Sequence, residues 1–531
     1  MKKILLTLSA IFALVSVEAA VYVIPEPVSV QEGKGTFSMS TKAAISCEDE
    51  SLLKSAEIFA SDMNNVLGIL IPVGVKNGGN ICLSINRSFD EEEYILNVTK
   101  KKIDIVGGSS AGVFYGLQTV KQLLKYGNIP VVTIKDKPHF AYRGTHLDVA
   151  RHFFTADEVK RYIDILALHK INRFHWHLTD DQGWRVEIKS HPELTKIGSV
   201  RKETVVGKHY GPGPRKYDGK PHGGFYTQEQ IRQIVQYAAD RHITVIPEID
   251  LPGHMQAALA TYPHLGCTGG PYQMRCTWGI SNDVLCAGNE EIYKFLEDVL
   301  AEVCELFPSE LIHIGGDECR KYAWQKCPKC QAKIKELGLK DDKSHKAEHY
   351  LQNYVMGRIE KFLNEKGRRI IGWDEILEGS ASETATIMVW REQRDILKAA
   401  RRGNDVIATT RHYCYLDYCQ TSNPDSEPLH MEGRYLSMQQ AYKLDPYDRL
   451  NTHERKRVIG VQANVWTEFI ADFDRVQFAL LPRLAAICET AWAYDRKKDI
   501  NTFVTKAKTI LPRVYKSYGY HYAPYFFEGI E

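Results

Sequence analysis

Apolar positions recur along this chain with two periods, and the switches between them outline its architecture. Leu53, Phe59, Ala60, Met63 and Val66 or Leu67 fall at helical spacing within 50–67, as do Val113, Leu117, Val120 and Leu124 within 110–126. Between them, 81–85, 94–98 and 102–106 are short β-branched runs, the last two joined by a Lys100–Lys101 turn. Residues 21–138 therefore predict a small α/β domain. It clusters no catalytic residue types, so its role reads as structural or docking.

From Tyr142 onward strand-like runs alternate with amphipathic helices. The strands cover 143–148, 172–178, 244–249, 311–316, 369–373, 386–390, 405–410 and 458–466. Thr155 with Glu158, and Thr227 with Gln230, form capping boxes ahead of helical apolar stripes. Eight such strands predict an α/β fold of the TIM (β/α)8 barrel type over 139–495, with 496–531 as a helical extension packed on it. No Gly-rich phosphate turn follows any strand, which disfavours a doubly wound open sheet. Polar residues cluster after nearly every strand instead, where a barrel builds its active site.

Composition narrows the partners. Hydrophobic residues at 44% and charged residues at 25% exclude collagen-like, coiled-coil and disordered classes. With 68 basic against 66 acidic residues, the formal charge of +2 supplies no broad field for nucleic acid or an acidic membrane, so binding rests on a local site. Lys2 and Lys3 precede an apolar run, Ile4 to Val17, that ends in Val17-Glu18-Ala19-Ala20. This predicts a cleaved signal peptide over 1–20 and export to the periplasm or exterior of a bacterium. No other stretch approaches the run of about 18 apolar residues that an integral membrane segment needs. Among 12 Cys, Cys327-Pro-Lys-Cys330 is the one C-x-x-C; with no second Cys or His pair at comparable spacing, it reads as a local disulfide or two free thiols rather than a zinc site. The sequons at Asn86 and Asn97 are assigned no role.

The strand ends carry the chemistry. The first strand has Arg143 at its start and Asp148 at its end; the second ends His175-Trp-His177-Leu-Thr-Asp180-Asp181, the third Pro247-Glu-Ile-Asp250-Leu-Pro-Gly-His254, and the fourth His313-Ile-Gly-Gly-Asp317-Glu318. The remaining ends supply Trp373-Asp374-Glu375, Trp390-Arg391, Tyr415-Leu-Asp417 and Trp466-Thr-Glu468. Singly, each has a structural explanation as a cap or a core residue. Together they do not, because unpaired buried acids are costly. Acids for proton transfer and hydroxyl binding, with indoles for stacking, suit a carbohydrate site. A metal site at His175 and His177 ranks below it, since further His at barrel ends are few.

Ordinary glycosidases place two carboxylates on either side of the scissile bond. Asp317 and Glu318 are adjacent, and neighbouring residues leaving a strand point in different directions, so another nucleophile is suggested. The substrate's own 2-acetamido oxygen is one solution.

These motifs resemble family 20 glycoside hydrolases, the β-N-acetylhexosaminidases: Arg143-Gly144 with Leu147-Asp148-Val-Ala-Arg151-His152-Phe153, then the His175, Pro247 and His313 segments above, in order through 140–495. The opening Val23-Ile-Pro-Glu-Pro is similar to that family's small N-terminal domain. The resemblance implies an exo-acting, retaining enzyme that removes terminal β-linked N-acetylglucosamine or N-acetylgalactosamine from glycans through an oxazolinium intermediate, with no cofactor and no metal. It implies Glu318 as general acid and base, Asp317 as the group that orients the acetamido group, and Tyr415 as its hydrogen-bond partner. Trp373, Trp390 and Trp466 would wall the pocket; Arg143, Asp417 and Glu468 would bind sugar hydroxyls; Asp181, Asp250 and His254 would support the acid. The insert over 198–224 has no counterpart in the resemblance. Two alternatives stay open, a sibling activity that releases a disaccharide or accepts a sulfated sugar, and a catalytically silent glycan-binding barrel.

Overall fold

The computed structural model describes residues 20–527 apart from 77, 208–213, 380, 381, 497 and 498. The expected signal peptide, save its last residue, lies outside the described residues. Residues 29–136 form a seven-stranded mixed sheet in the order Ser29–Ser38, Asn128–Asp136, Tyr94–Val98, Ile103–Gly107, Ile81–Ile85, Ile45–Cys47, Val73–Val75. Tyr94–Val98 and Ile103–Gly107 are the expected hairpin, paired antiparallel. Helix Ser110–Leu123 is buried on almost every residue because it touches this sheet on one side and helices Ala156–Leu168 and Ile500–Ser517 on the other.

Eight parallel strands close into a barrel: β1 Tyr142–Asp148, β2 Arg173–His177, β3 Thr244–Leu251, β4 Leu311–Gly315, β5 Arg369–Trp373, β6 Thr386–Val389, β7 Val406–Ala408 and β8 Val458–Val465. Both capping boxes form, Thr155 with Glu158 and Thr227 with Gln230, and start helices Ala156–Leu168 and Gln228–Ala239. One unit departs from the repeat. Between β5 and β6 the described chain makes only a 3-10 turn, Asp374–Leu377, which keeps Asp374 and Glu375 at the barrel mouth. Among the described residues no helix is long and apolar enough to cross a membrane.

Arg143 corrects an expectation. It enters β1 at the end of the barrel opposite the strand mouths and reaches the N-terminal domain. Its guanidinium forks onto Glu92 at 2.7 and 2.9 Å, donates to the Lys170 carbonyl at 2.9 Å, and lies over the rings of Trp492 and Tyr115. A fixed fork on a carboxylate suits it to hold two domains together, not to bind a sugar. Beside it, the wholly buried Lys170 and Asp136 pair at 3.0 Å, and Trp492 Nε1 donates to the same carboxylate. The C-terminal helix Ile500–Ser517 bridges the same junction, since Lys506 pairs with both Glu489 at 3.0 Å and Glu26 at 2.6 Å.

Candidate active site

The glycines that end β4 shape the site. Gly315 and Gly316 have φ of 63° and 98°, and a side chain on Gly315 would put its Cβ 1.8 Å from Asp250 Oδ1. Glu318 also takes the left-handed conformation, φ 47°. This turn brings both adjacent acids to one partner: Asp317 Oδ2 and Glu318 Oε2 each lie 3.7 Å from His254 Nε2.

Behind them is a buried charge network. His254 Nδ1 lies 3.1 Å from Asp180 Oδ1, and although burial disfavours its charge, Asp180 and Asp250 hold its pKa well above the ordinary histidine value. Asp181 accepts the backbone N–H groups of Gln256 and Ser281, and Asp250 accepts that of Gly316, so both brace loops rather than face the cleft. Glu248 sits at the centre of the barrel, 2.9 Å from His313 Nδ1, 3.0 Å from His175 Nε2 and hydrogen-bonded to His177 and Trp373. Burial opposes its ionisation, but the imidazoles outweigh that and hold it well below the usual carboxylate range. The histidines weighed as metal ligands are thus engaged with this carboxylate. Burial pushes Asp317 up to about 6, with the nearby charge of Glu318 adding and His254 opposing.

The cleft above encloses about 310 Å³, lined by Asp317, Glu318, Trp373, Trp390, Tyr415, Asp417, Trp466 and Glu468. Its walls are aromatic. Trp373 packs on Trp466 at 5.9 Å, and Trp390 lies nearly parallel to Tyr415 at 6.1 Å, its Nε1 donating to Glu375. Burial and then Glu468 push Asp417 well above the carboxylate range. Asp317 Oδ1 and Asp417 Oδ1, on residues that line the cleft, are buried with no hydrogen-bond partner in the chain and are free to accept from a ligand.

Arg151 takes the place expected of Arg143. It lines the cleft, pairs with Asp180 at 2.8 Å and Asp148 at 3.2 Å, comes within 4.0 Å of Glu468, and lies over the Trp466 ring. Its signal was its position just past the β1 end, where the barrel puts function. Arg411, Tyr418, Met431, Arg434, Gly279 and Ile280 also line the cleft, and no periodic pattern marks them, because they come from a loop after β3 and from elements of only two to five residues after β7. The described part of the 198–224 insert packs beside this rim: Val205 N–H donates to the Cys276 carbonyl, and Arg201 lies over Trp278.

Paired acids under indole walls at the mouth of a (β/α)8 barrel define a carbohydrate-cleaving enzyme, a glycoside hydrolase. The model of glycosyl hydrolase family 20, catalytic domain, matches residues 140–495, and that of glycosyl hydrolase family 20, domain 2, matches 20–137. The chain belongs to glycoside hydrolase family 20. The β-hexosaminidase of Porphyromonas gingivalis is 41% identical over 504 residues, which cover 92% of this chain and 62% of that protein, so the chain spans less than two thirds of that relative. The β-hexosaminidase of Vibrio furnissii is 37% identical over 480 residues, 88% of this chain and 76% of that one. Among solved structures, the family 20 exo-β-N-acetylglucosaminidase of Vibrio harveyi, in complex with N-acetylglucosamine, superposes with a TM-score of 0.83 at 33% identity over 94% of this chain and 78% of that one. The Streptomyces plicatus N-acetyl-β-hexosaminidase in complex with Thio-NAglucal gives 0.81 at 30% identity, over 94% and 96%.

Proposed function

We propose that this chain is an exo-acting, retaining β-N-acetylhexosaminidase that cleaves terminal β-linked N-acetylglucosamine or N-acetylgalactosamine from glycans with the substrate's acetamido oxygen as nucleophile. The observation that carries this reading is the shared 3.7 Å approach of Asp317 and Glu318 to His254 Nε2. As adjacent residues of one turn with a common partner, they suit neighbouring tasks on one substrate, proton donation by Glu318 and contact to the acetamido N–H by Asp317, with the acetamido oxygen as the attacking group. The other cleft carboxylates are poorly suited to attack. Burial and then Glu468 push the Asp417 carboxyl well above the usual carboxylate range, and Glu468 stands beside Arg151.

In this reading Glu318, as the acid, protonates the leaving oxygen while the acetamido carbonyl oxygen closes on the anomeric carbon. Asp317 accepts the amide N–H and its charge stabilises the oxazolinium ion. The Tyr415 hydroxyl, whose pKa burial pushes well above the usual phenol value, donates to the carbonyl oxygen. Glu318, now a carboxylate, takes a proton from the incoming water, and the sugar leaves with its configuration retained. Trp373, Trp390 and Trp466 offer apolar contact for the methyl group and sugar face, while Arg151, Asp417 and Glu468 are placed to hold hydroxyls. The names of the relatives support the substrate class, and the lysine-led apolar opening of the chain supports an exported enzyme.

A panel of aryl β-glycosides tests the proposal. Cleavage of 2-acetamido sugars and none of their 2-hydroxy counterparts is expected; comparable cleavage of β-glucosides would contradict it.

A further inference from the structure

Cys327 and Cys330 do not stand alone as their spacing suggested. Cys267 and Cys286, brought in from the loop after β3, join them, and all four sulfurs lie within 4.8 Å of one another. Measured pairs are 3.6 Å for Cys286–Cys327, 3.7 Å for Cys286–Cys330 and 3.9 Å for Cys267–Cys330. A disulfide needs about 2.05 Å. Four thiolates around zinc, each with a bond of about 2.3 Å, form a tetrahedron whose edge is close to 3.8 Å, and the measured distances fit that edge.

The surroundings suit such a site. Cys286, Cys327 and Cys330 are buried and Cys267 is partly buried. The N–H of Gly288 faces the sulfurs of Cys286 and Cys330. A side chain at Gly288 would collide with the backbone of Lys329, its Cβ 2.2 Å from the carbonyl carbon, so glycine lets that amide reach the sulfurs. A closed all-sulfur tetrahedron with no oxygen or imidazole donor is a zinc-type donor set of the structural kind.

We propose that Cys267, Cys286, Cys327 and Cys330 bind one zinc ion that clasps the neck of a loop lining the catalytic cleft. Cys267 and Cys286 are the two ends of that loop, which closes on itself through the Gly266–Leu285 bridge. Its Gly279 and Ile280 line the cleft, and its Ser281 N–H holds Asp181. The other two ligands follow Glu318 closely along the chain, and Trp324, between Glu318 and Cys327, donates its indole N–H to the Leu285 carbonyl. One ion thus fixes the loop to the segment that leaves the general acid. Binding releases the thiol protons and changes no oxidation state.

Metal analysis tests the site on the whole chain, produced in zinc-containing medium and purified without chelator. One zinc per chain is expected, with all four cysteines alkylated after denaturation in chelator without reductant. Absence of zinc, with disulfide-linked peptides or with four free thiols, overturns the proposal. Cys330→Ser should lose the ion; the stoichiometry of the unaltered chain decides the matter if that variant fails to fold. Displacing zinc with a mercurial should open the 268–280 loop to protease and raise KM more than it lowers kcat. Unchanged proteolysis after zinc release would overturn the clasp.

Discussion

His254 Nε2 stands 3.7 Å from Oδ2 of Asp317, an imidazole whose pKa Asp180 and Asp250 hold well above the ordinary histidine value facing an acid that burial pushes up to about 6. Catalysis needs that acid ionised. We predict that kcat/KM falls as pH drops through about 6, because protonated Asp317 no longer accepts the amide N–H; the residual activity of Asp317→Asn should lack this limb. A limb that persists in the variant assigns it to another group.

The same shift has a consequence for stability. Folded Asp317, with its pKa of about 6, keeps a proton that the unfolded chain releases near the ordinary aspartate value of 3.8, so stability falls as pH rises between these values and the loss is complete above the higher one. Asp317→Asn should therefore raise Tm at pH 7, by an amount of order 1 kcal/mol in stability, and the gain should vanish below the pKa of the unfolded carboxyl. Thermal melts across this range check it, and a lowered Tm at pH 7 would contradict it.

Glu318→Gln removes the proton donor. For substrates with poor leaving groups we expect a loss of about 10²- to 10⁴-fold in kcat/KM, shrinking for aryl glycosides whose phenols leave without a proton. Equal losses across a leaving-group series would remove Glu318 from the acid role.

Arg143 and Arg151 should separate cleanly. Arg143→Met strands Glu92 at the domain junction and should cost about 2 kcal/mol in stability with KM unchanged. Arg151→Lys keeps a charge near Asp180 but loses the fork at the cleft, and KM should rise about tenfold, near 1.4 kcal/mol. Denaturant melts and steady-state kinetics on both variants test the pair, and the reverse pattern would contradict the assignment.

These arginines also show what could be read from the chain. The barrel was legible because most of its strands are apolar runs bounded by a polar mouth, and Asp317 with Glu318 because two acids follow two glycines at such a mouth. Arg143 was misplaced by its motif although its position at a strand start already argued for the opposite end of the barrel. The edge strand Ser29–Ser38 escaped notice because most of its residues are polar or glycine and face solvent, leaving little apolar alternation. Glu248 and its histidines come from separate strands, and the four cysteines from two loops after different strands, so only the closed barrel brings either group together.

The substrate's own participation is measured most directly by varying its N-acyl group. A series of aryl 2-acylamido-glycosides from acetyl through mono-, di- and trifluoroacetyl keeps the leaving group constant and progressively weakens the carbonyl oxygen as a nucleophile. If that oxygen attacks the anomeric carbon, kcat/KM falls steeply and continuously with fluorination, and no sugar–protein adduct accumulates. A flat dependence, or a covalent sugar ester on Asp317, would contradict substrate-assisted catalysis.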